Sequence, residues 1–82
     1  MVEYKFKSLP EYFRKEQDGR KPNTIRNMAE DDPRYSIKEG DTIIIEQVGN
    51  PHLFRRTVTD ITRWEGLTLI SWKHEAQNGN SK

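Results

Sequence analysis

The chain contains no cysteine, and this absence limits the kinds of site it can build. Without cysteine there is neither a disulfide framework nor a zinc site with thiolate ligands. Long apolar runs are also missing, since no stretch approaches the ~20 apolar residues of a membrane span and no N-terminal run resembles a signal peptide. We therefore expect a soluble, cytoplasmic protein that has no membrane partner.

Histidine and hydrophobic residues are scarce as well. The two histidines, His52 and His74, are far apart in sequence and lack neighbouring ligands, so we expect no metal site and no cofactor. Hydrophobic residues make up only 32% of the chain and charged residues 33%. The eight Trp, Tyr and Phe residues nevertheless indicate a folded chain, because disordered segments are usually poor in aromatics. We predict one small monomeric domain over residues 1–75 and a disordered tail over 76–82.

The charge of the chain is nearly balanced overall but unevenly distributed. The formal net charge is +1, whereas residues 1–26 hold seven Lys/Arg against four Asp/Glu and residues 27–50 hold two against six. A balanced charge does not by itself indicate nucleic-acid binding. Any anion-binding face is therefore expected to be local and basic, with ordinary surface charge as the alternative.

A short helix is predicted near the N-terminus. Ser8 and Glu11 have the spacing of a capping box, in which Ser8 is the N-cap. Leu9, Tyr12 and Phe13 follow at the i, i+3, i+4 spacing that is typical of a buried helical stripe.

Most of the remaining chain has the pattern of strands. β-Branched and aromatic residues are separated by Gly, Pro and Asn turn signals. The predicted strands lie near residues 4–7, 24–27, 42–48, 53–61 and 67–72, with a bulge near Thr59-Asp60. The pattern predicts hairpin connections rather than βαβ units. The predicted fold is α+β, a small, partly open mixed β-barrel of four to five strands with one or two short helices.

The segment Gly19–Arg26 concentrates reactive side chains. It places two cations, Lys21 and Arg26, and the Thr24 hydroxyl in one turn-and-strand segment. Arg20 in the same segment and Arg56 in a later basic–aromatic stretch are candidate outer cations for phosphate contacts. The simpler alternative is surface charge that flanks a strand, with Thr24 filling a β-compatible position.

These motifs together resemble the ASCH domains of the PUA-like superfamily, and especially the small forms of bacteria and phages. The resemblance spans about residues 4–74 and rests on four motifs in this order: Leu9-Pro10-x-Tyr12-Phe13, Gly19-x-Lys21-x-x-Thr24-x-Arg26, Gly40-Asp41 and Val58-Thr59-x-Ile61. It implies a PUA-like barrel and a binding cleft for RNA or a modified nucleoside. The usual family motif is G-x-K-x-x-E-x-R, so Thr24 stands where a glutamate is expected.

That threonine makes the motif similar to the acetylcytidine amidohydrolase branch of the family. The similarity implies a Thr24 nucleophile with Lys21 as its general base. In that branch a glutamate comes from a helical stretch between the last two strands, and here Trp64-Glu65-Gly66 leaves no room for a helix. Neither Glu65 nor Glu75 lies in a matching segment, so neither is assigned the role.

Three functional hypotheses follow from the sequence. The first is binding of RNA or a modified nucleoside in a cleft lined by Lys21, Thr24 and Arg26, with Arg20 and Arg56 as outer cations. The second is removal of an acyl group from a modified cytidine by Thr24 and Lys21. The third is a bacterial or phage protein-interaction module that uses the edge of the barrel and none of these polar groups.

Overall fold

The structure is a computed structural model that describes residues 2–73. Along the chain, the elements are β1 (Glu3–Ser8), α1 (Pro10–Gln17), β2 (Asn23–Asn27), a short 3₁₀ helix (Pro33–Ser36), β3 (Thr42–Gln47), β4 (Leu53–Trp64) and β5 (Leu67–Trp72). These elements confirm the predicted α+β class with five strands. The tail predicted over residues 76–82 lies outside the described residues. No helix within residues 2–73 has the length and apolar character that a membrane crossing requires.

The strands form one mixed sheet in the order β1-β3-β4-β5-β2, which curls into a half-barrel. The pairs β3–β4, β4–β5 and β5–β2 are antiparallel, and the first two of them are joined by hairpin connections, as predicted. The pair β1–β3 is parallel, so the expectation of hairpins rather than βαβ units was wrong at this point. A parallel pair needs a crossover connection, and here that crossover contains α1 and β2. The first two strands of the chain thus become the two edges of the sheet.

Strand β4 contains the predicted bulge and extends further than expected. Its register against β5 shifts between Val58 and Asp60, which confirms the irregularity near Thr59-Asp60. The strand continues to Trp64, which pairs with Leu67 across a two-residue turn. Such tight hairpins favour residues with positive φ, and both turn residues have it. Trp64 is 71% exposed at this tip, so it is not a core residue.

The start of α1 differs from the predicted capping box. The N-cap is Leu9, which makes no side-chain capping bond, and Pro10 occupies the first helical turn. Proline is suited to that position because its missing N–H would have no intrahelical partner there. Ser8 instead ends β1, where its hydroxyl accepts a hydrogen bond from Arg26 at 2.9 Å. The predicted Ser8 cap was wrong because a tertiary contact uses that hydroxyl.

The buried face of α1 also differs from the predicted stripe. Phe13 is buried as expected, and its buried partner on the helix is Glu16, one turn later. Leu9 and Tyr12 are 52% and 46% exposed, so their predicted burial was wrong. The helix is rotated so that Phe13 packs edge-on against Phe54, with ring centroids 5.3 Å apart. This rotation leaves Leu9 and Tyr12 at an opening in the fold.

The core fills the inside of the curled sheet. On β3, Ile43 and Ile45 have no exposed surface and Ile44 is also buried, so both faces of this strand are covered. Trp72 is also buried and lies 6.2 Å from Phe54, centroid to centroid. The remaining large members of the cluster are Phe6, Phe13, Met28, Ile37, Val58 and Ile70.

Candidate functional site

A cleft of about 410 Å³ opens where the two edge strands and α1 meet. Its lining consists of residues 7–9 at the end of β1, Tyr12 and Glu16 on α1, Lys21 in the following loop, and residues 24–26 on β2. The three residues predicted to line a cleft, Lys21, Thr24 and Arg26, are therefore brought to the same depression. A concave site with a few convergent polar groups is the usual place for a ligand.

Local backbone geometry places the Gly19–Arg26 segment beside α1. Gly19 follows the C-cap residue of the helix with φ of +91°, a conformation that glycine adopts without strain. The backbone N–H of Lys21 then donates to the Lys15 carbonyl at 3.0 Å, which folds the loop back onto the helix. The Pro22 carbonyl accepts from the Trp72 N–H at 3.0 Å, so the segment enters the sheet beside β5. The turn and the sheet together bring Lys21 against the helix.

Thr24 is almost completely buried in the cleft wall, with 3% of its surface exposed. Its hydroxyl oxygen accepts a hydrogen bond from Arg26 Nε at 3.0 Å. Because residues 24 and 26 lie on the same side of a strand, this contact follows directly from the two-residue spacing of the motif. The bond orients the hydroxyl and leaves its proton available to another acceptor.

Arg26 connects the two edges of the half-barrel. Its guanidinium donates to the Lys7 carbonyl at 2.8 Å and to the Ser8 hydroxyl at 2.9 Å, both at the end of β1. Burial lowers the pKa of Arg26, while the Glu16 carboxylate acts in the opposite direction and the neighbouring Arg34 lowers the pKa further. Two of its nitrogens therefore hold β2 to β1, and the third, Nε, holds Thr24 on the same strand. Much of its hydrogen-bonding capacity is structural.

Lys21 and Glu16 form a loose ion pair in the cleft. Lys21 Nζ donates to the Asn23 carbonyl at 2.8 Å and lies 3.4 Å from Glu16 Oε2. The side chain of Lys21 is 32% exposed, whereas that of Glu16 is 1% exposed. Glu16 Oε1 is buried and has no hydrogen-bond partner among the described residues. Lys21 Nζ also lies 6.0 Å from the centre of the Tyr12 ring.

Sequence reasoning missed Glu16, although a signal for it was present. Residues 9, 12, 13 and 16 complete the i, i+3, i+4, i+7 stripe of a helix, so a carboxylate occupies its fourth position. Burial of a charged group is costly unless it is paired, and such residues therefore mark candidate sites.

The structure places the two predicted outer cations elsewhere. Arg20 pairs with Asp18 at 2.8 Å, and the hydrogen bond that Arg20 donates to that carboxylate raises the pKa of the arginine. Arg56 donates to the Gln17 carbonyl at 3.1 Å and lies 4.8 Å from the centre of the Phe54 ring, so it holds the end of α1 against β4. Neither arginine contributes to the lining of the cleft. Their predicted contact with a nucleic acid stays a prediction.

The composition of the cleft defines the ligands that suit it. Lys7, Lys21 and Arg26 provide three positive charges, against the single carboxylate of Glu16. The half-exposed Tyr12 ring provides a flat face at the rim. Cations beside an aromatic ring are the combination that binds single-stranded nucleic acids, through the phosphate and the base respectively. No group of three or more His, Asp or Glu within residues 2–73 is arranged to hold a metal ion.

Comparison with known proteins gives no further assignment. The sequence matches no protein-family model, and no curated protein matches it.

Proposed function

We propose that this chain is an RNA- or modified-nucleoside-binding domain of the ASCH type in the PUA-like superfamily. The observation that carries the proposal is the convergence of Lys21, Thr24 and Arg26 on one cleft, which also contains an exposed aromatic ring. The curled mixed sheet with one packed helix supports it, since a small α+β half-barrel is consistent with that fold.

In this proposal different residues of the cleft contact different parts of the ligand. Lys7 and Lys21 are the cations that can turn towards a ligand, because Arg26 is already engaged with β1. Tyr12 offers its ring to a base, and stacking of that kind is tolerant of sequence. Thr24 is held by Arg26 and contributes an oriented hydroxyl at the base of the cleft.

Titration of a fluorescently labelled single-stranded RNA tests the proposal. Lys21→Ala is expected to weaken binding about tenfold, because hydrogen bonds to charged groups are worth about 1.5–3 kcal/mol. Binding should also fall as salt is raised, since contacts to phosphates release counterions.

The matched control is Lys15→Ala, which removes the same charge from an exposed position of α1 outside the cleft lining. Its affinity should stay within about twofold of the wild type. Equal, weak binding by the wild type and both variants would refute a specific site and favour a protein-interaction module instead.

A second candidate function is supported by the position of Glu16. It places a carboxylate against Lys21 in the same cleft as Thr24, which the sequence hypothesis of an amidohydrolase lacked. In that reaction the Thr24 oxygen attacks the acyl carbon, and the step requires the amine form of Lys21 to accept the hydroxyl proton. The carbon–nitrogen bond then breaks as the leaving amine takes the proton back, and water hydrolyses the acyl-threonine. Glu16 would stabilise the ammonium form of Lys21 between these steps.

Incubation with acetylcytidine, followed by chromatography of released cytidine, tests this candidate. Thr24→Val keeps the shape of the residue but removes its hydroxyl, so it should abolish release, whereas Thr24→Ser should retain part of it. Activity that survives in Thr24→Val would contradict the assigned nucleophile. Absence of release by the wild type, with RNA binding intact, leaves the binding function alone.

A further inference from the structure

Glu16 is a buried carboxylate with one oxygen unused. Oε2 faces Lys21 Nζ. Oε1 accepts no hydrogen bond among the described residues, and the whole side chain is only 1% exposed, so solvent has little access to it. A buried carboxylate oxygen that no protein donor satisfies lowers stability. Since the side chain also lines the cleft, a ligand is the natural source of the missing donor.

The geometry of the ion pair indicates how a ligand reaches this carboxylate. The 3.4 Å separation is longer than the 2.7–2.9 Å that is typical of charge-assisted hydrogen bonds, whereas Lys21 Nζ to the Asn23 carbonyl is 2.8 Å. The ammonium group is thus held mainly by the backbone and only weakly by Glu16. Movement of this partly exposed lysine towards a ligand would open the way to the carboxylate.

That movement has an electrostatic consequence for the choice of ligand. If Lys21 turns to a ligand oxygen or nitrogen, the buried Glu16 loses the cation that balances it, which is strongly unfavourable. A ligand that brings only negative charge, such as inorganic phosphate, makes this worse. A ligand that carries an N–H donor next to a hydrogen-bond acceptor supplies a donor to Glu16 and an acceptor to Lys21. The pair therefore selects against bare anions and for the edge of a nucleobase.

We propose that Glu16 and Lys21 recognise a nucleobase carrying an exocyclic amino group. The amino group donates to Glu16, and the adjacent ring nitrogen accepts from Lys21. The proposal rests on the nucleoside-binding function above and specifies the class of base. It also sets the orientation, with the base edge inside the cleft and the phosphate outside, near Lys7 at the end of β1.

An amino group fits this site better than the imide edge of uracil or hypoxanthine. An exocyclic amino group projects beyond the ring, so it can enter the recess in which Glu16 is buried. The ring N–H of an oxo base lies beside one or two carbonyl oxygens, which would be forced towards the carboxylate. Glutamate and aspartate accordingly accept from the amino group of cytosine in nucleic-acid complexes, and a matched contact gives about 1–3 kcal/mol of discrimination.

Two pairs of nucleoside monophosphates, in which an amino group is replaced by an oxo group, test the inference. Adenosine and inosine monophosphates form one pair, and cytidine and uridine monophosphates form the other. Calorimetric titration of the wild type should show about tenfold tighter binding of the amino member in at least one pair. Glu16→Gln should narrow that ratio to about threefold or less, because an amide can donate to the oxo base or accept from the amino base.

The control is Glu11→Gln, the same substitution at an exposed position in the first turn of α1. It should keep the wild-type ratio. Equal affinities of the wild type for both members of each pair would overturn this inference while leaving nucleoside binding intact. Preserved selectivity in Glu16→Gln would also overturn it. If the wild type binds neither the nucleotides nor RNA, the proposed function fails together with the inference. The wild-type ratio carries the test even if Glu16→Gln is poorly folded.

Discussion

The half-barrel is closed in two different ways on its two sides. From β3 through β4 to β5, neighbouring strands are joined by backbone ladders and an apolar interior. Between the edge strands β1 and β2, side chains make the connection instead, with Arg26 reaching the last two residues of β1. The buried carboxylate of Glu16 also lies on this second side. The cleft therefore lies between the two edges of the sheet, which are not joined by a strand ladder.

Closure by side chains makes that side both specific and adaptable. A strand ladder leaves little room for a ligand, because each backbone group already has a partner. The Lys21 ammonium group, by contrast, can exchange its partner for a ligand that also supplies a donor to Glu16. The difference between the two sides can be tested by perturbing each in turn.

The largest effect on stability is expected on the side of the half-barrel that backbone ladders close, from β3 to β5. Ile45 has no exposed surface and lies in the central part of β3, so Ile45→Ala should lower the free energy of unfolding by about 3–4 kcal/mol. Urea denaturation at 25 °C measures this loss. Val48→Ala, at a position 43% exposed, is the control and should change stability by less than about 0.5 kcal/mol. Similar losses in the two variants would show that this side is not the principal core.

A smaller and more local effect on stability is expected for Arg26, which bridges the edge strands β1 and β2. Arg26→Ala removes three hydrogen bonds, including the one that satisfies the buried Thr24 hydroxyl, and should cost about 2 kcal/mol. Hydrogen exchange should accelerate in β1 and β2 more than in β3 and β4. Arg26→Lys should recover only part of the loss, because one ammonium group cannot replace a planar fork. Uniform acceleration over all five strands would contradict the proposed division between the two sides.

Removal of the buried Glu16 carboxylate should raise the stability, whereas the two substitutions above lower it. Glu16→Met replaces a partly unsatisfied charge by an apolar chain of similar length, and Lys21 keeps its backbone partner and its access to solvent. Stability should therefore rise by about 1 kcal/mol while nucleotide binding is lost. Urea denaturation and nucleotide titration of the same variant provide the two measurements. Glu11→Met, on the exposed face of the same helix, should change neither. A marked loss of stability in Glu16→Met would show that the carboxylate supports the fold.

The smallest effect is expected at Asp32, which orients a second arginine of the edge side. The Asp32 carboxylate caps the 3₁₀ helix and hydrogen-bonds to Arg34, whose guanidinium lies 4.5 Å from the centre of the Phe6 ring and contacts the Lys5 carbonyl. The side-chain hydrogen bond from Arg34 is the main reason that the pKa of Asp32 is lowered. The ionised carboxylate therefore stabilises the fold at neutral pH.

The sign of this pKa shift determines the pH dependence. A lowered pKa in the folded state means that the stabilisation is present above the ordinary pKa of 3.8 and is lost as pH falls through the lower folded value. Asp32→Asn should thus be slightly less stable than the wild type at neutral pH, and the two should converge in acid. Thermal unfolding over a range of pH measures the difference. A difference that persists unchanged in acid would assign it to the shape of the cap and not to its charge.

Much of the fold was predictable because it depends on local patterns. The strand over β5, the bulge in β4 and the glycine that ends α1 follow from alternation, spacing and backbone preference. The rotation of α1 was not predictable, since Leu9, Tyr12, Phe13 and Glu16 all lie on one broad stripe. Packing of Phe13 on Phe54 selects which part of that stripe is buried. Hydrophobicity favoured Tyr12 over Glu16, and the tertiary contact decided otherwise.

The sequence by itself determined the α+β class, the five strands and the cluster of Lys21, Thr24 and Arg26 on one turn and strand. The order of the strands determined what these residues do. It brought the end of β1 to Arg26 across 18 and 19 positions in the chain, and it made that arginine a bridge. It also enclosed Glu16 beside Lys21. Local patterns encode the identity of an element, whereas a contact between sheet edges depends on the free energy of the whole arrangement.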